Sequence, residues 1–493
     1  MNGREDGKEK YQVPDYLKIN YISYLSSSVK EAYDIVILEK IPKEEELPFF
    51  YDATKEYCLF VDKNLVLEGE VLQFFMRKKG KVLDAESISS FLNKEAQNYF
   101  SKPYGEKFSF NNLGVSPNFQ GSIQWKGNYS VCLNGEFGSD FKQIAFWKNN
   151  IPIEKGQALE LWLEYKKDSD VEIVLSIVHF ASGTLADVEQ SWTFTEEEMR
   201  NPVIIDNQKA YGPIFASLQA KGKGKLEIIA LHDRYSRRGH GAFIPGGERY
   251  VTSDREEVFA YFNPGDLKPP LHVYFSGYKT RQGFEGYNLM KSLGSPFLLI
   301  AEGRLEGGCF YLGNEEYEEL IRDVIRKYQD ELGFDSKDII MSGLSMGTFG
   351  ALYYGADILP HAIVLGKPLS SIGDIAENER LNRPGGFPTS LDVSQYAKYC
   401  FGIENKDEVN DIFWNKLENV KWNKTKFVVS YMVEDDYDGN SYQNLISRLD
   451  SKDIQIYGKG IHGRHNDKTG EIVQWYSSQL KKILKEDFQR EPK

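Results

Sequence analysis

No uninterrupted apolar run in this chain approaches the roughly 18 residues that a membrane span requires, so no integral membrane segment is expected. The first residues, MNGREDGKEKYQVPDY, are charged and lack the apolar centre of a signal peptide. The chain also lacks a basic excess: 60 Lys and Arg stand against 73 Asp and Glu, a net charge of -13. Phosphate backbones need a concentrated cationic surface, which makes nucleic acid an unsuited partner. Cysteine is sparse and unpaired in sequence. Cys58, Cys132, Cys309 and Cys400 have no C-x-x-C spacing, which argues for reduced packing residues and against a zinc site. No glycine pattern of the phosphate-cradling kind follows an apolar strand, so a bound nucleotide cofactor is not expected. Histidine is scarce as well, with 7 in 493 residues, and that scarcity narrows any search for a catalytic base.

What is present is an ordinary globular composition, 41% hydrophobic and 27% charged, in a chain long enough for several domains. Three textures follow one another. Residues 1–100 alternate short apolar runs (Tyr33–Leu38, Tyr57–Val61) with a helical stretch from Ala85 to Phe100, as in a small α/β module. Residues 101–240 change to period-two segments broken by Gly, Asn and Asp, the pattern of an antiparallel β-sandwich. Its tryptophans, Trp125, Trp147, Trp162 and Trp192, suit core packing or a carbohydrate-facing surface. His232–Tyr250 is a Gly- and Arg-rich stretch that reads as a long loop with a functional or interface role.

Residues 241–493 alternate strand and helix regularly, which predicts a parallel sheet covered on both faces. Glu315–Leu332 is the clearest helix, with Tyr317, Ile321, Val324 and Tyr328 on one face and Gly333 as its stop. About 60 residues between Gly366 and Lys426 exceed a simple crossover and are expected to form a cap at about 367–425.

Within this region the apolar run Ile339–Met341 meets Gly343-Leu344-Ser345-Met346-Gly347 and an alanine-rich helical segment. G-x-S-x-G between strand and helix is a nucleophile elbow: both glycines let strand and helix approach closely while the serine stands clear. The triad order of such sheets is nucleophile, acid, base. After Ser345 come only His361, His462 and His465, and His361 opens a strand at the wrong end of the sheet. The base is therefore His465 or His462, with His465, beside the last helix, the first candidate. The acid belongs in Glu434-Asp435-Asp436-Tyr437-Asp438; Glu434, nearest the strand, is the first candidate and Asp435 the second. Like charges this close raise one another's pKa, so most of these carboxylates are expected to face solvent. The oxyanion donors would be the amides of Met346 and of Tyr278, the latter in Ser276-Gly277-Tyr278-Lys279. Such machinery transfers an acyl group to water or to another hydroxyl, and the triad does not choose between them.

The segments EFGSDFKQIAFWKNNIPI, LHDRYSRRGHGAFIPGGERYVTSDREEVFAYFNPGDLKPP, SGLSMGTFGALYYG, LGKPLSSIGDIAENERLNRPGGFPTSLD and GKGIHGRHND resemble the accessory secretory protein two family of the accessory Sec system, most strongly from about 134 to 470. The resemblance implies an α/β-hydrolase domain in a cytoplasmic protein, peripheral at the membrane through an export complex. Implied partners are the sister accessory proteins one and three, the accessory SecA motor and a serine-rich repeat glycoprotein adhesin. It also implies O-acetylation of N-acetylglucosamine on that adhesin by a Ser, Glu, His triad, mapping onto Ser345, Glu434 and His465. The acetyl donor is not named by any motif, and acetyl-CoA stays an open candidate. Two competing readings are a non-catalytic export adaptor and a free-standing carbohydrate acetyl esterase.

Overall fold

The computed structural model describes residues 11–21, 31–422, 424–449 and 454–491; the first ten residues of the charged N-terminal stretch lie outside them. Near the N-terminus, Val36–Leu38, Leu59–Asp62 and Lys81–Leu83 form a three-stranded parallel sheet in sequential order. Alternation along the strands decides which helix each residue meets. Val36, Leu38, Leu59 and Val61 pack on helices Leu47–Ala53 and Gly69–Arg77, whereas Ile37 and Phe60 pack on Ile88–Lys94. The helix expected over Ala85–Phe100 is α-helical only at Ile88–Lys94, with a 3-10 turn on each side. Its neighbour Lys81–Leu83, with three residues, is too short for a period to show in sequence.

Ten strands between Gly105 and Tyr235 hydrogen-bond into one antiparallel sheet around a shared apolar cluster. Two of them are long, Ser130–Trp147 with 18 residues and Gly212–Tyr235 with 24. The first part of Gly212–Tyr235 pairs with Ile151–Ile153 and Val171–Phe180, the second with Ala158–Lys167 and Gly105–Lys107. Bulges between the two parts turn the strand from one set of partners to the other. Trp147 and Trp162 are buried, and the guanidinium groups of Arg249 (4.1 Å) and Arg255 (3.8 Å) both lie over the Trp162 ring. Of the four tryptophans, Trp125 alone is broadly exposed, at 47%.

The stretch His232–Tyr250 is a loop only over 236–247. Its first four residues complete the long strand and its last three belong to the next sheet. Its arginines point inward, which sequence could not show because their partners are remote. Arg234 donates to both oxygens of Glu257 (2.8 and 2.5 Å) and to Gln282 (2.7 Å). Arg237 donates to the carbonyls of Asn98 (3.1 Å) and Phe243 (2.8 Å). The stretch thus joins all three sheets. Burial pushes the Glu257 carboxyl up, but Arg234 and Arg249 outweigh it and hold the group at about 2.

The C-terminal sheet comprises β1 (Glu248–Val251), β2 (Glu257–Asn263), β3 (Leu271–Phe275), β4 (Phe297–Glu302), β5 (Ile339–Leu344), β6 (Ala362–Gly366), β7 (Lys426–Met432) and β8 (Gln455–Ile461). Their order is β1-β2-β4-β3-β5-β6-β7-β8, antiparallel at β1-β2 and β2-β4 and parallel elsewhere. The helices are α1 (Tyr287–Lys291), α2 (Glu315–Leu332), α3 (Met346–Ile358), α4 (Ile372–Leu381), α5 (Thr389–Phe401), α6 (Lys406–Glu418), α7 (Ser441–Arg448) and α8 (Thr469–Phe488). Ile339 and Met341 of β5 face α2 and α3, while Ile340 faces α1 and α8, so the central strand is apolar on both sides. Helix α2 has the predicted bounds: Asn314 caps its start, and Gly333, at φ 68°, ends it in the left-handed conformation that glycine accepts. Helix α1 is a short turn of five residues, and β8 reaches Ile461 through Gly458 and Gly460.

Three helices, α4 to α6, fill the insertion between β6 and β7. Arg304, buried at the end of β4, ties them down: it pairs with Glu302 (2.6 Å) and donates to Tyr396 of α5 (3.1 Å), whose hydroxyl donates to Glu256 (2.7 Å).

Replacing Arg234 by Met leaves the buried Glu257 charge with Arg249 alone. The expected loss is about 3–5 kcal/mol of unfolding free energy in a denaturant titration. Because Glu257 is depressed when folded, its contribution is present above the ordinary glutamate range and disappears as pH falls towards 2. The Arg234→Met variant is expected to show a shallower loss of stability over that acid window than the unmodified chain.

Candidate active site

Ser345 lies between β5 and α3 at φ 51° and ψ -122°, a strained conformation for a residue with a side chain. The glycines on either side show what holds it there. A Cβ on Gly347 would stand 2.1 Å from the Phe275 carbonyl oxygen of β3, and one on Gly343 would stand 2.3 Å from the Gly347 backbone. The Ser345 amide donates to the Gly366 carbonyl at the end of β6 (2.8 Å), which fixes the turn across two strands.

Ser345 Oγ and His465 Nε2 are 2.8 Å apart. His465 is 1% exposed, and its other ring nitrogen, Nδ1, is 2.8 Å from Asp435 Oδ2. A proton on Nδ1 donated to Asp435 leaves Nε2 free to accept from the serine hydroxyl, the tautomer that a general base requires. The second oxygen of Asp435 accepts the backbone amides of Tyr437 (2.8 Å) and Asp438 (3.2 Å). Burial would raise the Asp435 carboxyl, but the His465 imidazole and these two amides overcome it and the group lies below its ordinary value. Asp435 is therefore held as a carboxylate.

Glu434, the first candidate for the acid, does not reach His465. It extends alongside the end of β8, accepting from His462 Nδ1 (2.8 Å) and the Gly463 amide (2.6 Å) at an exposed position. The reason is local: Val433 and Glu434 continue the pairing of β7 with β8 through Ile461 and Gly463, so the chain first turns inward at Asp435. The expectation that most of these carboxylates face solvent also fails, because each has a distinct partner. Asp436 accepts the His465 amide (2.9 Å) and pairs with Arg383 (2.6 Å). Buried Asp438 accepts the amides of Ser370 (2.8 Å) and Ser371 (2.9 Å) at the start of the inserted helices. A signal for Asp435 was present in D-D-Y-D, where an Asp can accept amides two and three residues onward.

His462 is 86% exposed in its side chain and engages Glu434. His361 pairs with Asp487 (2.7 Å), remote from the elbow. Met346 opens α3 and Tyr278 follows Gly277; among the described residues neither amide hydrogen-bonds to another group. Gly277 itself donates to Glu285 Oε2 (2.5 Å), and Ser276 Oγ accepts the Glu285 amide (3.2 Å), so the loop carrying Tyr278 is pinned from below. The Tyr278 ring stands edge-on to Phe387 (5.5 Å). Arg383, which pairs with Asp436 and lies over the Tyr437 ring, had no local sequence signal.

One alternative cluster also brings metal-binding side chains together. Glu164, His232 and Glu257 are buried side by side, but His232 is bonded to Glu164 (3.1 Å) and Gln282 (2.6 Å), and Glu257 is neutralised by two arginines. These partners account for the donor atoms, and the cluster belongs to the junction of the sheets.

A strained serine on a strand-to-helix elbow, bonded to a buried histidine that is bonded to an ionised aspartate, stands on a largely parallel sheet with α-helices on both faces, the architecture of a mixed α/β protein with a nucleophile-elbow geometry. The chain belongs to the accessory Sec system GspB-transporter family, whose model matches residues 6–490. It is 39% identical over 459 residues to accessory secretory protein two of Streptococcus gordonii, covering 93% of this chain and 90% of that protein. It is 37% identical to the corresponding protein of Staphylococcus aureus, covering 97% and 93%. A chain of the Glycosylation Associate Protein (Gap123) complex from Streptococcus agalactiae superposes with a TM-score of 0.85 at 35% identity, over 93% of this chain and 89% of that one. No helix among the described residues is long and apolar enough to cross a membrane.

Alanine at Gly347 is expected to cost about 3 kcal/mol, the upper end for overpacking, because the atom met is a backbone carbonyl that cannot swing aside. Thermal unfolding of Gly347→Ala against a surface Gly→Ala control, such as Gly470, measures it.

Proposed function

We propose that this protein is an export component of the accessory Sec system that also transfers an acyl group, through Ser345, to a sugar hydroxyl on its glycoprotein cargo. The observation that carries the catalytic part is the unbroken sequence of contacts from Ser345 Oγ to His465 to Asp435 on a strained elbow. In this reading Ser345 Oγ attacks the donor's acyl carbonyl while its proton passes to His465 Nε2. The tetrahedral oxyanion is met by the amides of Met346 and Tyr278. The leaving group departs with the proton from His465, giving an acyl-serine. An acceptor hydroxyl then yields its proton to His465 as its oxygen attacks the acyl carbon; the bond from that carbon to Ser345 Oγ breaks, and Oγ takes the proton back from His465. Asp435, rather than Glu434, stabilises the imidazolium that forms in each half.

Family membership supports the export role, and the resemblance supports acetyl as the group and N-acetylglucosamine of a serine-rich repeat adhesin as the acceptor. Membership of a similar chain in the Gap123 complex supports the sister accessory proteins one and three as partners. The accessory SecA motor, a cytoplasmic location and the sandwich-like antiparallel sheet as a partner- or glycan-facing module belong to the same proposal. The acyl donor, with acetyl-CoA one candidate, is a separate question for which no residue here argues.

Mass spectrometry of the adhesin from cells carrying each variant tests this. Ser345→Ala is expected to remove the acetyl mass from its hexosamines while leaving capture of the sister proteins intact. Asp435→Asn is expected to lower acyl transfer by about 10⁴-fold, as loss of the correct tautomer does in other triads, whereas Glu434→Gln stays within about tenfold. Acetylation unchanged in Ser345→Ala would overturn the transferase and leave the adaptor role. Equal hydrolysis with and without a glycan acceptor would favour an esterase.

A further inference from the structure

The residues that fix His465 are not all on the sheet. Tyr437 lies flat on the imidazole, with ring centroids 4.3 Å apart and planes 23° apart. The Arg383 guanidinium, from the turn between α4 and α5, lies 4.0 Å from the centre of the Tyr437 ring. Phe387, from the same turn, stacks on Tyr437 at 5.5 Å and 18°. The Tyr437 hydroxyl donates to the Gly386 carbonyl (3.1 Å) and accepts from Asn466 (3.0 Å). Arg383 also pairs with Asp436, whose other oxygen receives the His465 amide. Buried Glu379 holds this turn in shape by accepting the amides of Gly385 (2.5 Å) and Phe387 (2.6 Å).

We infer that Tyr437, clamped by Arg383 of the inserted helices, is a positioning residue that holds the His465 ring in its working orientation and makes the base dependent on the seating of that insertion. The inference rests on the triad reading above. Asp435 and Ser345 bond the imidazole at its two nitrogens, but both bonds lie along the ring and leave it free to rock about the line joining them. Tyr437 supplies the out-of-plane constraint, and Asp436 fixes the backbone from which the ring hangs. A π face against the ring also favours the imidazolium that forms on proton transfer. Arg383 reaches both Tyr437 and Asp436, so one side chain of the insertion governs both constraints. Displacement of the turn 382–388 would loosen the base without touching Ser345 or Asp435.

The test uses the full-length chain with p-nitrophenyl acetate as probe and Ser345→Ala as the blank. Tyr437→Ala is expected to lower kcat by about 10–100-fold with KM within about twofold, the penalty of a reacting group displaced by an ångström. Tyr437→Phe is expected to stay within about threefold, because the ring rather than the hydroxyl does the positioning, and Arg383→Ala to fall by about tenfold. In parallel, the His465 ring-proton resonance, read on 13C-histidine-labelled protein and assigned with His465→Gln, is expected upfield from the Tyr437 ring current. It should be preserved in Tyr437→Phe and lost in Tyr437→Ala. Wild-type kcat in Tyr437→Ala, or an unmoved resonance, would overturn the inference. If the unmodified chain turns over no faster than Ser345→Ala, the proposed acyl transfer fails; the resonance shift in Tyr437→Ala then decides the clamp by itself.

Discussion

The close approach of β3 to the first turn of α3 is the constraint from which the site follows. It exists because Gly347 has no Cβ to strike the Phe275 carbonyl and Gly343 none to strike Gly347. With α3 drawn onto the sheet at that distance, Ser345 has nowhere to go but into a positive-φ turn, and its hydroxyl projects towards the loops that follow β7 and β8. The strain is offset by the hydrogen bond of the turn to β6 and by an α3 buried along nearly its whole length. A nucleophile placed by packing does not depend on its own flexible surroundings for orientation.

The acidic loop shows how the remaining members are sorted. Five consecutive residues carry four carboxylates, and each oxygen pair has a separate destination: the exposed histidine, the buried base, the base's backbone with Arg383, and the serines that begin the insertion. Their mutual repulsion is relieved by these partners, so proximity in sequence does not translate into a shared fate. Burial and orientation separate Glu434 from Asp435 although one peptide bond separates them in the chain.

This loop also marks where sequence stops being sufficient. The elbow was legible because its glycines answer a local steric demand, and the base was narrowed to two histidines because histidine is rare, with position beside the last helix favouring His465. Strands and helices of the C-terminal half were legible because burial on both faces or on one face leaves a period. The choice of Asp435 over Glu434 depends on how many residues β7 extends past its last sheet partner, a one-residue question that no period answers. The inward course of Arg234 and Arg237 depends on Glu257, Asn98 and Phe243, carbonyls and carboxylates that local patterns do not connect. The stacking of Tyr437 on His465 likewise arises only when the insertion is folded back onto the sheet.

The long strand Gly212–Tyr235 has a consequence for how this molecule can be divided. It begins deep in the antiparallel sheet, continues through its bulges, and ends by delivering Arg234 to Glu257 of β2. A cut at the composition boundary near residue 240 falls in the loop 236–247, yet it would part Arg234 from Glu257, uncovering a buried cation on one fragment and a buried carboxylate on the other. The sheets differ in texture and in pairing, yet they share a common beam. In mechanical terms, a load applied to the antiparallel half is transmitted along that beam to the edge of the catalytic sheet.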